Sequence, residues 1–337
     1  MIISENFSIK KYNTFGIDTS AKYFAGFNSI EQLQALTERF AHEKIMILGG
    51  GSNVLFTKDF NGIVLRNEIK GIHIIDEDPL HYYLRAGSGE IWHQFVMHCI
   101  NNNYAGVENL SLIPGFVGAS PMQNIGAYGV EIKDVFHSLE AFHLKDKSMV
   151  TFSKQDCAFG YRESVFKNQY KNQFVITSVT YKLYKKPSIN TSYGAIKQEL
   201  ESMQVSSPGI QDVSQAVINI RSSKLPDPLI TGNAGSFFKN PVITKAYYEE
   251  LLHHYPELPH YPAPEEAMVK VPAGWLIEKA GWKGYRKNDY GVHNRQALVL
   301  VNYGTATGKE IFDLSENIIA DIQNKFSILL EREVNIL

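Results

Sequence analysis

The sequence has few cysteines and no excess of charge of either sign, and each shortage excludes a class of protein. Cys99 and Cys157 are its two cysteines, too few for a disulfide framework or a cysteine-rich metal site. Lys and Arg number 33 against 35 Asp and Glu, so the net charge of −2 is unlike that of a general nucleic-acid binder. No apolar run approaches the ~20 residues that span a bilayer. We therefore expect neither a nucleic-acid nor a membrane partner.

Several motifs of cofactor and metal chemistry are also absent. The sequence contains no G-x-x-x-x-G-K-[ST] phosphate loop, no H-E-x-x-H and no C-x-x-C. Its 11 histidines form no pair at metal-ligand spacing, so we predict no metal site. The N-terminus has no charged segment leading into an apolar stretch, which predicts no signal peptide and a cytoplasmic location.

The remaining composition is that of a globular protein. The chain has 337 residues, of which 44% are hydrophobic and 20% charged. At ~100–200 residues per domain, this length predicts two or three domains with sizeable cores.

The N-terminal half alternates between helix and strand, as in α/β proteins. Strands are predicted at 22–26 and 44–48, with a helix between them that begins at Ser29 and has Gln32 as the second member of a capping box. These elements form a predicted βαβ unit. Further strands are predicted at 63–66, 82–86, 139–144 and 174–184, and helices at 92–101 and 210–221.

The C-terminal third contains shorter elements and one long helix. Helices are predicted at 244–254 and 273–280 and a strand at 297–302. Thr307 and Glu310 indicate a capping box at the start of a long amphipathic helix. Residues 328–337 alternate like a strand and place Glu333 opposite the apolar face, where a solvated side chain is the default interpretation.

Residues 49–55 read Gly-Gly-Gly-Ser-Asn-Val-Leu and directly follow a predicted strand. Glycine lets backbone N–H groups come close to a phosphate. The segment is not a Rossmann fingerprint, because its third glycine is missing and Val54-Leu55-Phe56 continues as strand rather than helix. A phosphate cradle and a simple tight turn are equally favoured by this segment alone.

Residues 113–129 form a long loop with four glycines and two prolines. Phe116, Val117 and Ile125 distinguish it from a polar linker. A structural Ω-loop is one interpretation, but long ordered loops in compact domains are usually functional, which favours ligand binding.

Two shorter segments place one polar side chain among aromatic residues. Arg162 follows Tyr161 and could be aimed at a carboxylate, although a surface pair with Glu163 is favoured by this segment alone. Ser236 lies between Gly235 and Phe237 without the G-x-S-x-G elbow of a hydrolase nucleophile. An ordinary loop serine is at least as well favoured by that segment.

Taken in this order, the four segments resemble the UDP-N-acetylenolpyruvoylglucosamine reductase family, flavoenzymes that complete UDP-N-acetylmuramate in bacterial peptidoglycan synthesis. The resemblance runs from residues 12–16 (Tyr-Asn-Thr-Phe-Gly) to Glu333-Val334 and covers nearly the whole chain. Tyr193-Gly194 and residues 221–228 (RSSKLPDP) are similar to the longer type of the family, which has a substrate-covering tyrosine loop.

The resemblance implies an α+β protein with an FAD-binding fold of the PCMH type. Two α/β subdomains would hold FAD, and a C-terminal α+β domain would bind the substrate. The expected boundaries are 1–66 for subdomain 1, with 327–337 returning to it, 67–222 for subdomain 2 with the tyrosine loop, and 223–326 for the substrate-binding domain. A monomer is also implied.

The same resemblance assigns roles to individual residues. The implied catalytic residues are Arg162, Ser236 and Glu333. The residues implied to bind non-covalent FAD are Gly49, Gly50, Gly51, Ser52, Asn53, Val54, Leu55, Pro114, Gly115, Gly118, Ala119, Ser120, Gln123, Asn124, Gly126, Ala127, Tyr128 and Gly129. The residues implied to contact the substrate are Tyr193, Lys224, Asn240 and Lys279. Lys279 stands where some relatives have a glutamine.

The implied reaction has two halves. NADPH would reduce FAD, and the reduced flavin would transfer a hydride to the vinyl carbon of UDP-N-acetylglucosamine enolpyruvate, giving UDP-N-acetylmuramate. Arg162 would offset the charge that spreads into the carboxylate, Ser236 would protonate the neighbouring carbon, and Glu333 would orient or polarise the substrate. The sequence ends shortly after Glu333, without the tail of longer relatives, so we expect the glutamate strand to be weakly anchored.

Three other interpretations remain. An oxidase of the same fold often attaches FAD through a histidine or cysteine, and neither residue type occurs in 49–55 or 113–129. A non-catalytic sugar-nucleotide or flavin-storage protein would not need Arg162, Ser236 and Glu333 together. A UDP-sugar transferase without redox chemistry would bind no flavin.

Overall fold

The chain folds into two compact units. The computed structural model describes residues 2–263 and 265–337. The first unit comprises Met1–Phe7, Ala21–Gly50 and Asn61–Ser223, and the second comprises Ser8–Ser20, Gly51–Phe60 and Lys224–Leu337. The three-part division into two FAD-binding subdomains and a substrate-binding domain stays a prediction.

The described residues form both α-helices and β-strands, distributed along the whole sequence. The strands are β1 (Ile3–Ser8), β2 (Ser20–Phe27), β3 (Ile45–Leu48), β4 (Val54–Leu55), β5 (Phe60–Asn67), β6 (Ile72–Glu77), β7 (His81–Gly87), β8 (Gly126–Ala127), β9 (Val130–Glu131), β10 (Phe136–His143), β11 (Ser148–Ser153), β12 (Phe174–Tyr184), β13 (Gly232–Ser236), β14 (Val242–Thr244), β15 (Tyr261–Pro262), β16 (Met268–Lys270), β17 (Arg286–Lys287), β18 (Tyr290–Val292), β19 (Val299–Asn302) and β20 (Asn335–Ile336). The α-helices are α1 (Ile30–Arg39), α2 (Trp92–Asn101), α3 (Ile132–Val135), α4 (Gly194–Ser202), α5 (Ile210–Lys224), α6 (Lys245–His254), α7 (Ala273–Lys279) and α8 (Gly308–Phe326). Short 3₁₀ helices occupy Lys10–Tyr12, Glu108–Leu110 and Val117–Ala119.

The first unit contains two main sheets. Strands β1-β2-β5-β3 form one sheet, and β11-β10-β12-β7-β6 form the other. The predicted βαβ unit is present as β2, α1 and β3, but β3 pairs in parallel with β5, which lies between β3 and β2. All neighbouring strands of the five-stranded sheet are antiparallel. Helix α2 and residues 113–129 pack on its buried face, in a core that contains Trp92 and Tyr181.

The second unit is built around the long helix α8. Its sheets have the orders β13-β19-β18-β17 and β14-β16-β15, and β20 pairs in parallel with β4. Ile311, Leu314, Ile318 and Ile322 of α8 are buried in one core with Phe237. Ser236 therefore precedes a fully buried aromatic residue, which holds its strand against the core.

Two helix starts test the predicted capping boxes. At α8, the Thr307 hydroxyl accepts the Glu310 N–H at 3.2 Å and the Glu310 carboxylate accepts the Thr307 N–H at 2.8 Å, so this capping box is confirmed. At α1, Ser29 accepts the Gln32 N–H at 3.3 Å, but the Gln32 side chain accepts the N–H of Asn28. The box predicted for Ser29 and Gln32 is thus only half formed.

The terminal strand is shorter than predicted. Of residues 328–337, only Asn335–Ile336 are strand, and Arg332 makes one isolated antiparallel bridge to Phe238. The prediction was wrong because the segment changes pairing partners: residues 331–333 bond to the continuation of β13, whereas β20 bonds to β4. Alternation of apolar residues does not reveal such a change.

The chain is nevertheless anchored up to its last residue. The N–H of Leu337 donates to Leu55, and its carbonyl oxygen accepts the N–H and hydroxyl of Thr57 at 2.8 and 2.6 Å. The expectation of a weakly anchored glutamate strand is therefore wrong. Among the helices of the described residues, none has the length and apolar character needed to cross a membrane.

Candidate active site

Within the first unit, Gly49 and Gly50 lie against the start of the 113–129 loop. A Cβ atom added to Gly50 would lie 2.9 Å from the Cα of Gly115, and one added to Gly49 would lie 3.6 Å from Phe116. At Gly50 the two loops therefore approach each other more closely than a side chain would allow, whereas the distance at Gly49 is an ordinary van der Waals contact. This close approach fits a backbone cradle for phosphate groups.

The 113–129 loop is fixed by the sheet and by α2. The Gly115 carbonyl accepts the Trp92 N–H at 3.0 Å, and Gly118 packs so closely on Ser88 that an added Cβ would lie 2.6 Å from the Ser88 Cβ. Ser120 is buried, and its hydroxyl is hydrogen-bonded to that of Tyr181 at 2.7 Å. The Ser120 hydroxyl is thus used within the core, and its backbone N–H and carbonyl are hydrogen-bonded to Val117 and Ile125, both at 3.0 Å. Other residues expected to bind FAD lie on the same loop, namely Pro114, Ala119, Gln123, Ala127 and Gly129.

Gly51 has a structural reason to be glycine. It lies in the second unit with φ +64°, and an added Cβ would lie 2.0 Å from the Tyr12 carbonyl oxygen. Its own carbonyl accepts the Thr14 N–H at 3.0 Å. The tight-turn interpretation therefore explains Gly51, whereas the close contact of Gly50 with Gly115 fits the cradle.

Asn124 organises the far part of the 113–129 loop. Its side chain is fully buried, donates to the Gly160 carbonyl and the Glu131 carboxylate at 2.9 and 3.1 Å, and accepts the Lys133 N–H at 3.0 Å. Asn124 therefore fixes loop geometry through its side chain.

Arg162 is held next to this loop. Its Nη2 donates to the Gly126 carbonyl at 2.6 Å, and the guanidinium lies 5.6 Å from the centre of the Tyr161 ring. The Arg162 backbone has φ +55°, a conformation that costs energy for a residue with a side chain. Backbone strain of this kind occurs often at functional sites. At Arg162 it occurs in a residue whose guanidinium is fixed by the hydrogen bond to Gly126.

Tyr128 connects the loop to the tyrosine segment. Its ring packs edge-on against that of Tyr193, with centres 5.2 Å apart. Burial raises the pKa of the Tyr128 phenol, while the positive charge of Arg221 and the hydrogen bond that Arg221 donates to the phenol oxygen act in the opposite direction. Arg221 also donates to the Leu112 carbonyl at 3.2 Å.

Asn109 and Arg221 are supporting residues that sequence reasoning did not assign. The Asn109 side chain donates to the carbonyls of Tyr128 and Asn190, both at 3.0 Å, and so ties the loop to the tyrosine segment. Arg221 lies within the RSSKLPDP motif, which indicates the longer family type and gives this arginine no role of its own. No local pattern distinguished Asn109.

In the second unit, the structure brings Ser236 and Glu333 onto adjacent segments. The Glu333 N–H donates to the Phe237 carbonyl at 2.9 Å, and Ser236 is exposed at the end of β13. The Asn53 side chain donates to the Glu333 carbonyl at 3.3 Å, so the segment after Gly51 is bonded to the segment that carries Glu333. Arg162 belongs to the first unit.

The four residues expected to contact substrate have different surroundings. Asn240 Oδ1 accepts the Ala273 N–H at the start of α7, so Asn240 would present Nδ2 to a ligand. The Lys279 ammonium forms an exposed ion pair with Glu257 at 2.5 Å. Lys224 is exposed at the end of α5, and Tyr193 precedes α4 with 42% of its surface exposed.

Two family models match separate segments of the chain. A model described as UDP-N-acetylenolpyruvoylglucosamine reductase, C-terminal domain, matches residues 227–337. A model described as FAD binding domain matches residues 21–153. The first match contains Ser236 and Glu333, and the second contains both glycine-rich loops.

Relatives match over the full length. The UDP-N-acetylenolpyruvoylglucosamine reductase of Flavobacterium johnsoniae is 52% identical over 100% of both chains, and that of Amoebophilus asiaticus is 48% identical over 100% of both. Among solved structures, the reductase of that name from Thermus caldophilus has a TM-score of 0.69 at 22% identity, covering 99% of this chain and 98% of the other. The structural likeness confirms the expected fold.

Proposed function

The chain belongs to the UDP-N-acetylenolpyruvoylglucosamine reductase family of flavin oxidoreductases, and on that basis we propose its substrate, donor and mechanism. It reduces UDP-N-acetylglucosamine enolpyruvate to UDP-N-acetylmuramate, with NADPH as electron donor. The observation that carries the proposal is the juxtaposition of Ser236 and Glu333 on hydrogen-bonded segments, within the region that matches the C-terminal domain of the family. We further propose a monomer in the cytoplasm.

The backbone of the two glycine-rich loops would hold the cofactor. Gly50 and Gly115 come together without side chains, and Gly49 directly precedes Gly50, so backbone N–H groups of the two loops can approach a pyrophosphate. When bound, FAD supplies a two-electron carrier between the nicotinamide donor and the vinyl carbon of the substrate. Neither loop contains a histidine or cysteine, so the proposed binding is non-covalent.

Arg162 would hold the carboxylate of the enolpyruvyl group. Negative charge grows on this carboxylate and the adjacent carbon as the vinyl carbon is reduced, and a fixed guanidinium stabilises that charge. The hydrogen bond to Gly126 limits the motion of Arg162, so little reorganisation is needed as the charge develops.

Ser236 would donate the proton that completes the reduction. Its hydroxyl is exposed at the end of a strand whose next residue, Phe237, is fully buried, which places a small proton donor on a rigid support. Glu333 would orient the enolpyruvyl group or donate a hydrogen bond to the developing enolate. The second role requires the protonated carboxyl group.

The sugar nucleotide would be bound by Tyr193, Lys224 and Asn240. Asn240 is suited to donate to an acceptor oxygen, and Lys224 to neutralise a phosphate. Lys279 would have to leave its ion pair with Glu257 to reach a ligand, so its proposed contribution is small.

Anaerobic spectroscopy of the FAD-loaded protein tests the proposal. NADPH is added first and the enolpyruvyl sugar nucleotide second, while the flavin absorbance is recorded. We expect the absorbance to fall with the first addition and return with the second. Bleaching without return would exclude the substrate, and an absent flavin signal after FAD is supplied would exclude the redox function.

A further inference from the structure

Lys239 and Glu331 form an ion pair beside the two residues of the second unit to which we assign the substrate chemistry. Lys239 follows Ser236 by three residues, and Glu331 precedes Glu333 by two. The Lys239 ammonium lies 2.5 Å from the Glu331 carboxylate. Lys239 is only 8% exposed, whereas 71% of the Glu331 side chain is exposed. Burying an ammonium group is costly unless it is paired, so Glu331 helps to determine where Lys239 lies.

The two segments are also joined by a short backbone ladder. The Glu333 N–H donates to Phe237, the Lys239 N–H donates to Glu331, and both bonds are 2.9 Å long. They flank the antiparallel bridge between Phe238 and Arg332. A ladder of this length is marginally stable by itself, so a side-chain pair at its end adds to the stability of its register.

Arg332 fixes the other face of the same segment. Its Nε donates to the Ser315 hydroxyl at 2.9 Å, its guanidinium pairs with Glu316, and it lies 4.8 Å from the centre of the Phe312 ring. Successive side chains of a paired segment point to opposite faces. Arg332 therefore binds the segment to α8, while Glu331 and Glu333 share the opposite face.

We propose that the Lys239–Glu331 ion pair is a clamp that positions Glu333 relative to Ser236 for reduction of the substrate. This inference rests on the proposed function. Lys239 and Glu331 are positioning residues, because they act through the backbone bonds between the two segments. Their effect falls on the step that uses Ser236 and Glu333, and not on reduction of the flavin by NADPH.

The two half-reactions separate this role from a general loss of structure. In the FAD-loaded protein, we expect Glu331→Gln to slow flavin reoxidation by the sugar nucleotide tenfold or more, with reduction by NADPH within twofold of the unaltered protein. FAD affinity, measured by flavin fluorescence, should also remain within twofold. Lys309→Met is the matched control, because it removes the ammonium of an exposed ion pair with Asp313 on α8. Both rates should be unchanged in this control.

Lys239→Met provides a second variant that removes the buried charge rather than its partner. It should show the same selective loss of reoxidation rate. The clamp would be overturned if both half-reactions of these variants ran at the rates of Lys309→Met. It would also be overturned if both half-reactions slowed equally and thermal stability fell with them. The unaltered protein is measured first, since its failure to reoxidise would overturn the proposed function itself. If the unaltered protein does reoxidise and the two variants reoxidise at the same rate, only the clamp would be overturned.

Discussion

Asn53 donates a side-chain hydrogen bond to the backbone carbonyl of Glu333, 3.3 Å away and 280 positions later in the sequence. The Asn53 carbonyl in turn accepts the backbone and side-chain N–H groups of Asn335 at 3.1 and 2.9 Å. A residue expected to contact FAD is thereby bonded to the segment that carries a proposed catalytic carboxylate. Changes at Asn53 should consequently affect both functions.

We expect Asn53→Ala to weaken FAD binding about fivefold, the equivalent of ~1 kcal/mol for one net hydrogen bond, and to slow both half-reactions. Fluorescence titration with FAD and stopped-flow absorbance measure these effects. Asn324→Ala, at an exposed position on α8, is the control. An unchanged FAD affinity in Asn53→Ala would remove Asn53 from the proposed cofactor site.

Ser236→Ala should have a more selective effect. Loss of a general acid slows a reaction by typically 10²–10⁴-fold, so flavin reoxidation by the sugar nucleotide should fall by about that factor. Reduction by NADPH should remain nearly intact, because it does not use the serine proton. Stopped-flow absorbance resolves the two rates, and Ser202→Ala on the exposed surface of α4 is the control. Equal loss in both half-reactions would indicate a structural role for Ser236.

Arg162→Lys should weaken the enolpyruvyl half-reaction although it preserves the charge. Lysine is a point charge and does not reproduce the planar pair of donors that holds a carboxylate, nor the bond of Nη2 to Gly126. We expect reoxidation to slow at least tenfold, with FAD binding unchanged. Arg286→Lys, at an exposed arginine over the Tyr303 ring, is the matched control. A variant with normal reoxidation would exclude Arg162 from carboxylate binding.

The sequence predicts best those features that depend on near neighbours. The capping box of Thr307 and Glu310 is formed by residues three apart, and the helix that it begins has the predicted apolar face. Gly51 shows the opposite case, because its glycine is required by the Tyr12 carbonyl oxygen, which no local pattern identifies. The same holds for the buried side chain of Asn124, whose partner Gly160 is 36 positions away.

The candidate site shows this difference most clearly. Only the family resemblance indicates catalytic roles for Ser236 and Glu333, since their segments on their own favour an ordinary serine and a solvated glutamate. Their juxtaposition depends on a bond between Phe237 and Glu333 that forms only in the folded unit. The ion pair of Lys279 with Glu257 is also non-local, and it reduces the expected role of a lysine that the motif alone placed at the substrate.

Gly50→Ala tests the proposed phosphate cradle. The added Cβ would lie 2.9 Å from the Gly115 Cα and 3.2 Å from the Phe116 ring, so the two loops must separate. We expect FAD affinity to fall at least tenfold, because backbone N–H groups then lie farther from the pyrophosphate. Gly209→Ala is the control, since its Cβ would meet only the flexible side chains of Gln211 and Asp212. Equal FAD affinity in the two variants would contradict the cradle.

His93 should make the protein less stable in acid. Its Nδ1 accepts the Leu112 N–H at 3.0 Å, and burial, followed by the positive charge of Arg221, lowers the pKa of the His93 imidazole. The unfolded chain, with an ordinary histidine pKa of about 6.5, binds this proton at higher pH than the folded chain does. The free energy of unfolding therefore decreases as the pH falls below about 6.5.

Replacing His93 removes this dependence. Urea unfolding at a series of pH values between about 7.5 and 5 should show a smaller loss of stability in His93→Gln than in the unaltered protein, because glutamine has no proton to bind in this range. His42→Gln removes an exposed histidine for comparison. As the pH falls, the stability of the His42→Gln variant should decrease as steeply as that of the unaltered protein. Equal pH dependence in the two variants would show that the Leu112 bond does not exclude the proton from His93.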